Sequence, residues 1–280
     1  MEPTISLNEA AERLGVHYMT AYRYVRTGRL DARKVGGTWQ VPVAAIEHFG
    51  AVAEDAGTHS IDRGHRLEQR LLASDEVGAW DIVESALTSG LDAREVHLEV
   101  ISPALVSIGE RWSRGEISIA DEHRATAVVT RILARLGPRF TRPGRRRGTV
   151  VLGAPAMDHH SLPSAMAADL LRERGFDVID LGANTPAESF LDAARSSDAV
   201  FAIGVAITTT DNQTSVRSLL NTLNLEGDLP VVVGGNAQFD AAELRRWGAS
   251  VVSDSVESML EAFEAILAER ASERSAASGS

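Results

Sequence analysis

The spacing of apolar positions changes character along the chain, and each change marks a boundary. Near the N-terminus, Ser6-Leu7-Asn8-Glu9 has the reciprocal Ser and Glu of a capping box, and Ala10, Ala11 and Leu14 follow on one helical face. Gly15-Val16 breaks that helix. His17 to Thr27 reads as a second, with Ala21 and Val25 inward and Thr20, Arg23 and Arg26 off that face. Alternation about Gly36-Gly37 between Ala32 and Val43 predicts a hairpin or wing, and Ala44 to Phe49 a short closing helix. Residues 51–64 are small and polar without a period, as in a linker. Helical periodicity returns over 65–140 in about four pieces, broken near Ser74-Asp75, Gly90-Leu91-Asp92 and Gly115, which predicts a four-helix bundle. A basic connector, TRPGRRRG, spans 141–148. From Thr149 five apolar runs alternate with helical segments: 150–154, 177–182, 199–207, 230–235 and 250–253. That alternation predicts a flavodoxin-like, doubly wound, five-stranded parallel sheet over 149–270. Residues 271–280 read as a disordered tail. The expected domains are therefore 1–50, 65–140 and 149–270.

Composition narrows the functional classes. Hydrophobic residues make up 44% and charged residues 24%, the proportions of an ordinary globular chain. The absence of cysteine excludes disulfides, thiolate metal sites and thiol catalysis, and fits a cytoplasmic protein. No apolar run reaches the roughly 18 residues of a membrane span, and the first ten residues lack the pattern of a secretory leader. The formal net charge is −11, yet Arg13, Arg23, Arg26, Arg29, Arg33 and Lys34 crowd one segment with a single acid, Asp31. A basic island on an acidic chain points to a local nucleic-acid contact rather than general adhesion.

Two constellations carry candidate chemistry. Asp158-His159-His160 falls in the turn after the first strand of the α/β segment, at the sheet end where ligands bind in such folds. A neutral imidazole is the commonest protein ligand for a transition metal, and a carboxylate two residues away can fix its tautomer. Asp158 and His160 therefore suit a lone axial ligand with its own support, with His159 as a competing ligand. The second constellation is Trp112, nine residues, then Glu122-His123, with Ile119 one turn before the glutamate. Taken separately, a tryptophan and a Glu-His pair are ordinary core and surface residues of a bundle.

The segment from Asp158 through Ser161 to Pro163, with Gly175 to Gly182 and Val231 to Gly235, resembles the cobalamin-binding domain of methionine synthases, corrinoid proteins and cobalamin-dependent regulators. That resemblance implies His160 as the cobalt ligand, Asp158 behind it, and a slot for the dimethylbenzimidazole tail around Gly204, Gly234 and Gly235. Pro163 stands where the family has glycine, and Gly204 where it has serine. The order of bundle, Trp-x9-Glu-His and cobalamin-type domain is similar to the CarH/LitR-type photoreceptor regulators. It implies a bundle that caps the upper face of adenosylcobalamin, with Trp112, Ile119, Glu122 and His123 around the adenosyl group. Ser113 stands where characterised members carry a histidine that takes cobalt after illumination. Residues 4–49 resemble the excisionase/MerR-like winged helix-turn-helix. This implies base and phosphate contacts from Thr20, Arg23 and Arg26 on the recognition helix and from Arg33 and Lys34 on the wing.

The expected function is a non-enzymatic, light-responsive transcriptional regulator with adenosylcobalamin as chromophore. It would act on a DNA operator as a homo-oligomer, dimer or tetramer, away from membranes. Two alternatives stand beside it. One is a cobalamin or tetrapyrrole sensor not gated by photolysis, which could hold an additional bilin. The other is a corrinoid methyl carrier.

Overall fold

The computed structural model describes residues 3–14, 21–22, 25, 30–35, 38–46, 63–141, 143–144, 146–237 and 239–278. Contacts divide the chain into two units, one ending at Val128 and the other starting at Val129.

The first unit opens with β1 (Thr4–Ser6) and α1 (Leu7–Arg13). Ser6 caps α1, its hydroxyl accepting the Glu9 N–H at 3.2 Å. Only half of the predicted box forms, because the Glu9 carboxylate pairs forward with Arg13 at 2.9 Å instead. β2 (Arg33–Val35) and β3 (Thr38–Pro42) make the expected hairpin, and β1 adds antiparallel to β3, giving the order β1-β3-β2. Leu7, Ala10, Ala11, Ala21, Leu30 and Val41 form the small core beneath. The predicted second helix falls mostly outside the described residues. So do Thr20, Arg23 and Arg26.

Four helical stretches follow: α2 (63–72), α3 (Glu76–Thr88), α4 and α5 (Ile119–Leu136). The breaks lie where the sequence places them. α4 comprises Ala93–Val96, a π turn over His97–Ile101 and a continuation Ser102–Ser113. Asp75 and Asp92 cap α3 and α4, the latter in a complete capping box with Glu95. Leu67, Leu71, Ile82, Val83, Val100 and Ile108 are among the apolar residues these helices bury.

The second unit holds the five-stranded parallel sheet. Its strands are β4 (Thr149–Gly153), β5 (Asp177–Asp180), β6 (Val200–Ala206), β7 (Val231–Gly234) and β8 (Val251–Val252). They are ordered β5-β4-β6-β7-β8, the flavodoxin-like arrangement. β4, β6 and the first three residues of β7 are apolar and almost wholly buried, as strands covered on both faces must be. The covering helices are α6 (Leu162–Glu173), α7 (Ala187–Arg195), α8 (Gln213–Glu226), α9 (Ala241–Trp247) and α10 (Val256–Ser278). α10 runs on past residue 271, where the sequence reads as a tail. The segment is Ala- and Ser-rich and has no glycine or proline before Gly279, so no strong breaker stops the helix. The strand order reverses between β4 and β6, and a crevice at their carboxyl ends is the expected binding place.

Candidate functional site

The turn after β4 and the turn after β6 meet at that reversal. Asp158 has no exposed surface, while the His160 side chain keeps 51% of its own. The imidazole Nδ1 lies 2.8 Å from Asp158 Oδ1. Thr208, two residues past the end of β6, sends its N–H to Asp158 Oδ2 at 2.9 Å. Its hydroxyl sits 2.7 and 2.8 Å from the two carboxylate oxygens and 2.8 Å from His160 Nδ1. These distances suit one proton arrangement. Nδ1–H is shared between Asp158 and the Thr208 oxygen, the threonine hydroxyl donates to the carboxylate, and Nε2 is left as the ring atom with a lone pair for a metal.

Burial alone would push the Asp158 carboxyl up. The hydrogen bonds from the His160 and Thr208 side chains and from their backbone N–H groups outweigh it and hold the group below the usual carboxylate range. Asp158 is thus charged in place, which fixes the imidazole tautomer.

The loop itself is pinned by β5's neighbour. Met157 and Asn184 both have positive φ, 71° and 53°. The Met157 N–H donates to Asn184 Oδ1 at 2.8 Å, and the Asn184 N–H donates to the Asp158 carbonyl at 2.7 Å. Asparagine tolerates that conformation and methionine does so at some strain. Pro163 falls in the first turn of α6, where its missing N–H has no helical partner to lose. Ser161 stands at the N-cap position of the same helix, without a side-chain capping bond, and His160 lies just before it.

Gly234 and Gly235 line a cavity of about 280 Å³ with Ile207, Phe239, Val252 and Ser253. A Cβ on Gly235 would stand 2.1 Å from the Ile207 carbonyl oxygen, at φ 124°, and one on Gly234 would stand 2.6 Å from Ser253 Oγ. Only glycine leaves that opening. Gly204 is placed differently. It is buried within β6, and a Cβ there would meet the Leu152 side chain at 2.3 Å. Leu152 thus packs against Gly204, one of the three glycines around which the resemblance implies a tail slot. The cavity opens beside the β7 glycines.

In the first unit, Trp112 and Ile119 are large apolar side chains with 46% and 60% of their surface exposed. Ser118 and Asp121 cap each other at the start of α5 and set the turn that carries Glu122 and His123. Glu122 lies 3.6 Å from His123 Nε2 and accepts the Thr126 hydroxyl at 2.7 Å. The Ser113 hydroxyl donates to the Glu110 carbonyl at 2.8 Å. Arg33 and Lys34 are exposed on β2, with Lys34 6.0 Å from the Trp39 ring. Neighbouring strand residues face opposite ways, so the two cations point to different sides of the hairpin.

Thr208 and Asn184 belong to the candidate site and are passed over by the sequence reading. The signals were present: a run of three threonines directly after the third strand, and an Asn-Thr-Pro turn after the second. Among the described residues no three or more His, Cys, Asp or Glu side chains gather around a common point. One half-exposed imidazole on a buried charged carboxylate, beside a glycine-lined opening, fits a corrinoid held through one axial histidine.

Comparison with known proteins agrees with that geometry. A helix-turn-helix domain family matches residues 4–49, and two families, each described as a B12 binding domain, match 64–136 and 148–264. The trimethylamine corrinoid protein 1 of Methanosarcina acetivorans is 26% identical over 166 residues, 58% of this chain and 77% of that protein. The HTH-type transcriptional repressor CarH of Myxococcus xanthus is 29% identical over 188 residues, 66% of this chain and 61% of that protein. In fold, the monomethylamine corrinoid protein of Methanosarcina barkeri matches with a TM-score of 0.61 at 16% identity, over 72% of this chain and 96% of that one. A helix-turn-helix domain thus stands ahead of two B12 binding domains in this chain, and the chain is similar both to the CarH repressor and to corrinoid proteins.

Proposed function

We propose that the protein is a cytoplasmic, light-responsive transcriptional regulator that uses adenosylcobalamin and binds an operator as a homo-oligomer. The observation that carries the cofactor half is the Asp158–His160–Thr208 cluster at the strand-order reversal, in a chain that also bears a DNA-binding domain. Bound adenosylcobalamin supplies a light-labile cobalt–carbon bond. The residues do the rest. His160 Nε2 would supply the ligand to cobalt, Asp158 and Thr208 orient its ring, and Gly234 and Gly235 would leave room for the nucleotide tail. Trp112 and Ile119 offer exposed apolar surface to the adenosyl group, with Glu122 and His123 as polar partners. Loss of that group would take away their contact, and oligomer state and DNA avidity would change with it. No catalytic turnover is involved.

Reconstitution with adenosylcobalamin in the dark, followed by size and operator-binding measurements before and after green light, tests this. A change in both is expected, and identical behaviour in dark and light overturns the light switch. A second reading keeps the cofactor but drops the photolytic gate. It is favoured by Ser113, whose hydroxyl is turned back onto Glu110 and offers no imidazole to cobalt after light. The spectrum of the illuminated holoprotein separates the two readings.

A further inference from the structure

Glu68, on α2, retains only 2% of its surface. Carboxylates are seldom buried so fully unless paired. Its Oε1 accepts from Arg111 Nη1 at 2.6 Å, and its Oε2 accepts from Ser107 Oγ at 2.9 Å and lies 3.5 Å from His65 Nδ1. Burial pushes the carboxyl up, and the bonds from Arg111 and Ser107 bring it below its ordinary value, so the pair is ionic. Ser107 and Arg111 are one helical turn apart on α4, and the next residue is Trp112.

Arg111 is held from the other side as well. Its Nε lies 3.5 Å from Glu116 Oε2, and the other Glu116 oxygen accepts from Arg114 Nε at 2.6 Å. The Glu116 N–H closes onto the Arg111 carbonyl at 2.8 Å, and the Gly115 N–H onto the Trp112 carbonyl at 2.9 Å. The turn that presents Trp112 is therefore clamped inward by α2 and outward by the loop that follows.

An ion pair with a buried carboxylate, such as Glu68 with the one-third exposed Arg111, is a poor way to gain stability, since burying the charge costs much of what the pairing returns. It is a good way to fix geometry. A half-exposed indole on an unclamped surface turn would have to be ordered whenever a ligand engages it, at roughly 0.5–1.5 kcal/mol. We propose that Glu68 and Arg111 are positioning residues for Trp112, holding the end of α4 so that the indole is preorganised for the upper axial group of the cofactor. The inference rests on the reading of Trp112 as a cofactor contact.

The test uses the full chain and three variants, Glu68→Gln, Arg111→Lys and Trp112→Ala. Amide exchange across residues 107–116 is measured on the cofactor-free protein, and Kd values for adenosylcobalamin and hydroxocobalamin are measured in the dark. Glu68→Gln and Arg111→Lys should speed exchange in that segment. They should weaken adenosylcobalamin by about two- to tenfold, the cost of re-ordering one such side chain, with hydroxocobalamin nearly unchanged. Arg111→Lys keeps the charge and loses the planar fork, so it reports even if Glu68→Gln does not fold. If Trp112→Ala shifts the ratio of the two affinities and neither clamp variant does, the positioning role is overturned. If Trp112→Ala leaves the ratio unchanged, the cofactor contact itself is wrong and the inference falls with it.

Discussion

Asp158 keeps its charge without exposed surface because four groups donate to it: the ring and backbone N–H of His160, and the hydroxyl and backbone N–H of Thr208. Asp158→Ala is expected to lower cobalamin affinity by about 10- to 100-fold, as loss of a ligand's supporting carboxylate commonly does, and to alter the His-ligated absorption spectrum. Thr208→Val removes one donor at nearly constant volume and should cost about 1 kcal/mol of binding, close to fivefold in Kd, by titration. The folded-state carboxyl lies below its usual range, so its stabilising contribution is fully present above the unfolded carboxylate pKa. It is lost as pH falls through the lower, folded value. At this scale the sequence shows Asp158 and His160, since two residues apart in one turn is a local relation. Thr208 stayed hidden because its bond to Asp158 links positions 50 apart, and only strand order brings them together.

Elements decide two further properties. His97 sits with no exposed surface in the π turn of α4, and burial lowers its pKa to about 4. The unfolded chain then binds the extra proton between about pH 6.5 and pH 4, so stability should fall across that window as pH drops. The full loss is about 3 kcal/mol, and urea unfolding at a series of pH values would read it. His97→Leu should flatten the profile. After β7, Gly235 meets the Ile207 carbonyl so closely that Gly235→Ala needs backbone movement as well as a positive φ. It should destabilise the α/β domain by more than about 1 kcal/mol and weaken cobalamin binding, by thermal melts with and without cofactor. Helix breaks and strand runs were legible from periodicity, and the Ser6 cap from its local motif. The π turn was not, because an extra residue in a helical turn leaves the apolar spacing of α4 almost intact. Nor was the length of α10, whose last residues read as low-complexity.

Across the whole molecule, a net charge of −11 opposes DNA while residues 13–34 attract it. One such module meets few phosphates, so operator binding should require an oligomer and should weaken steeply with salt. Replacing Arg33 or Lys34 by alanine should reduce the slope of log affinity against log salt by about 1 if that residue touches a phosphate. The hairpin geometry predicts that only one of the two does so. No described helix is long and apolar enough to cross a membrane. Domain order, the parallel α/β class, the Asp158-x-His160 pair and the basic N-terminal segment were determined by the sequence itself, since each depends on local period, spacing or charge. The tertiary structure alone decided that Thr208 completes the His160 cluster, that the opening lies by Gly234 and Gly235 while Leu152 covers Gly204, and that Glu68 reaches across the bundle to Arg111. Those are contacts between residues far apart in the chain, fixed by packing and strand order, and no local pattern encodes them.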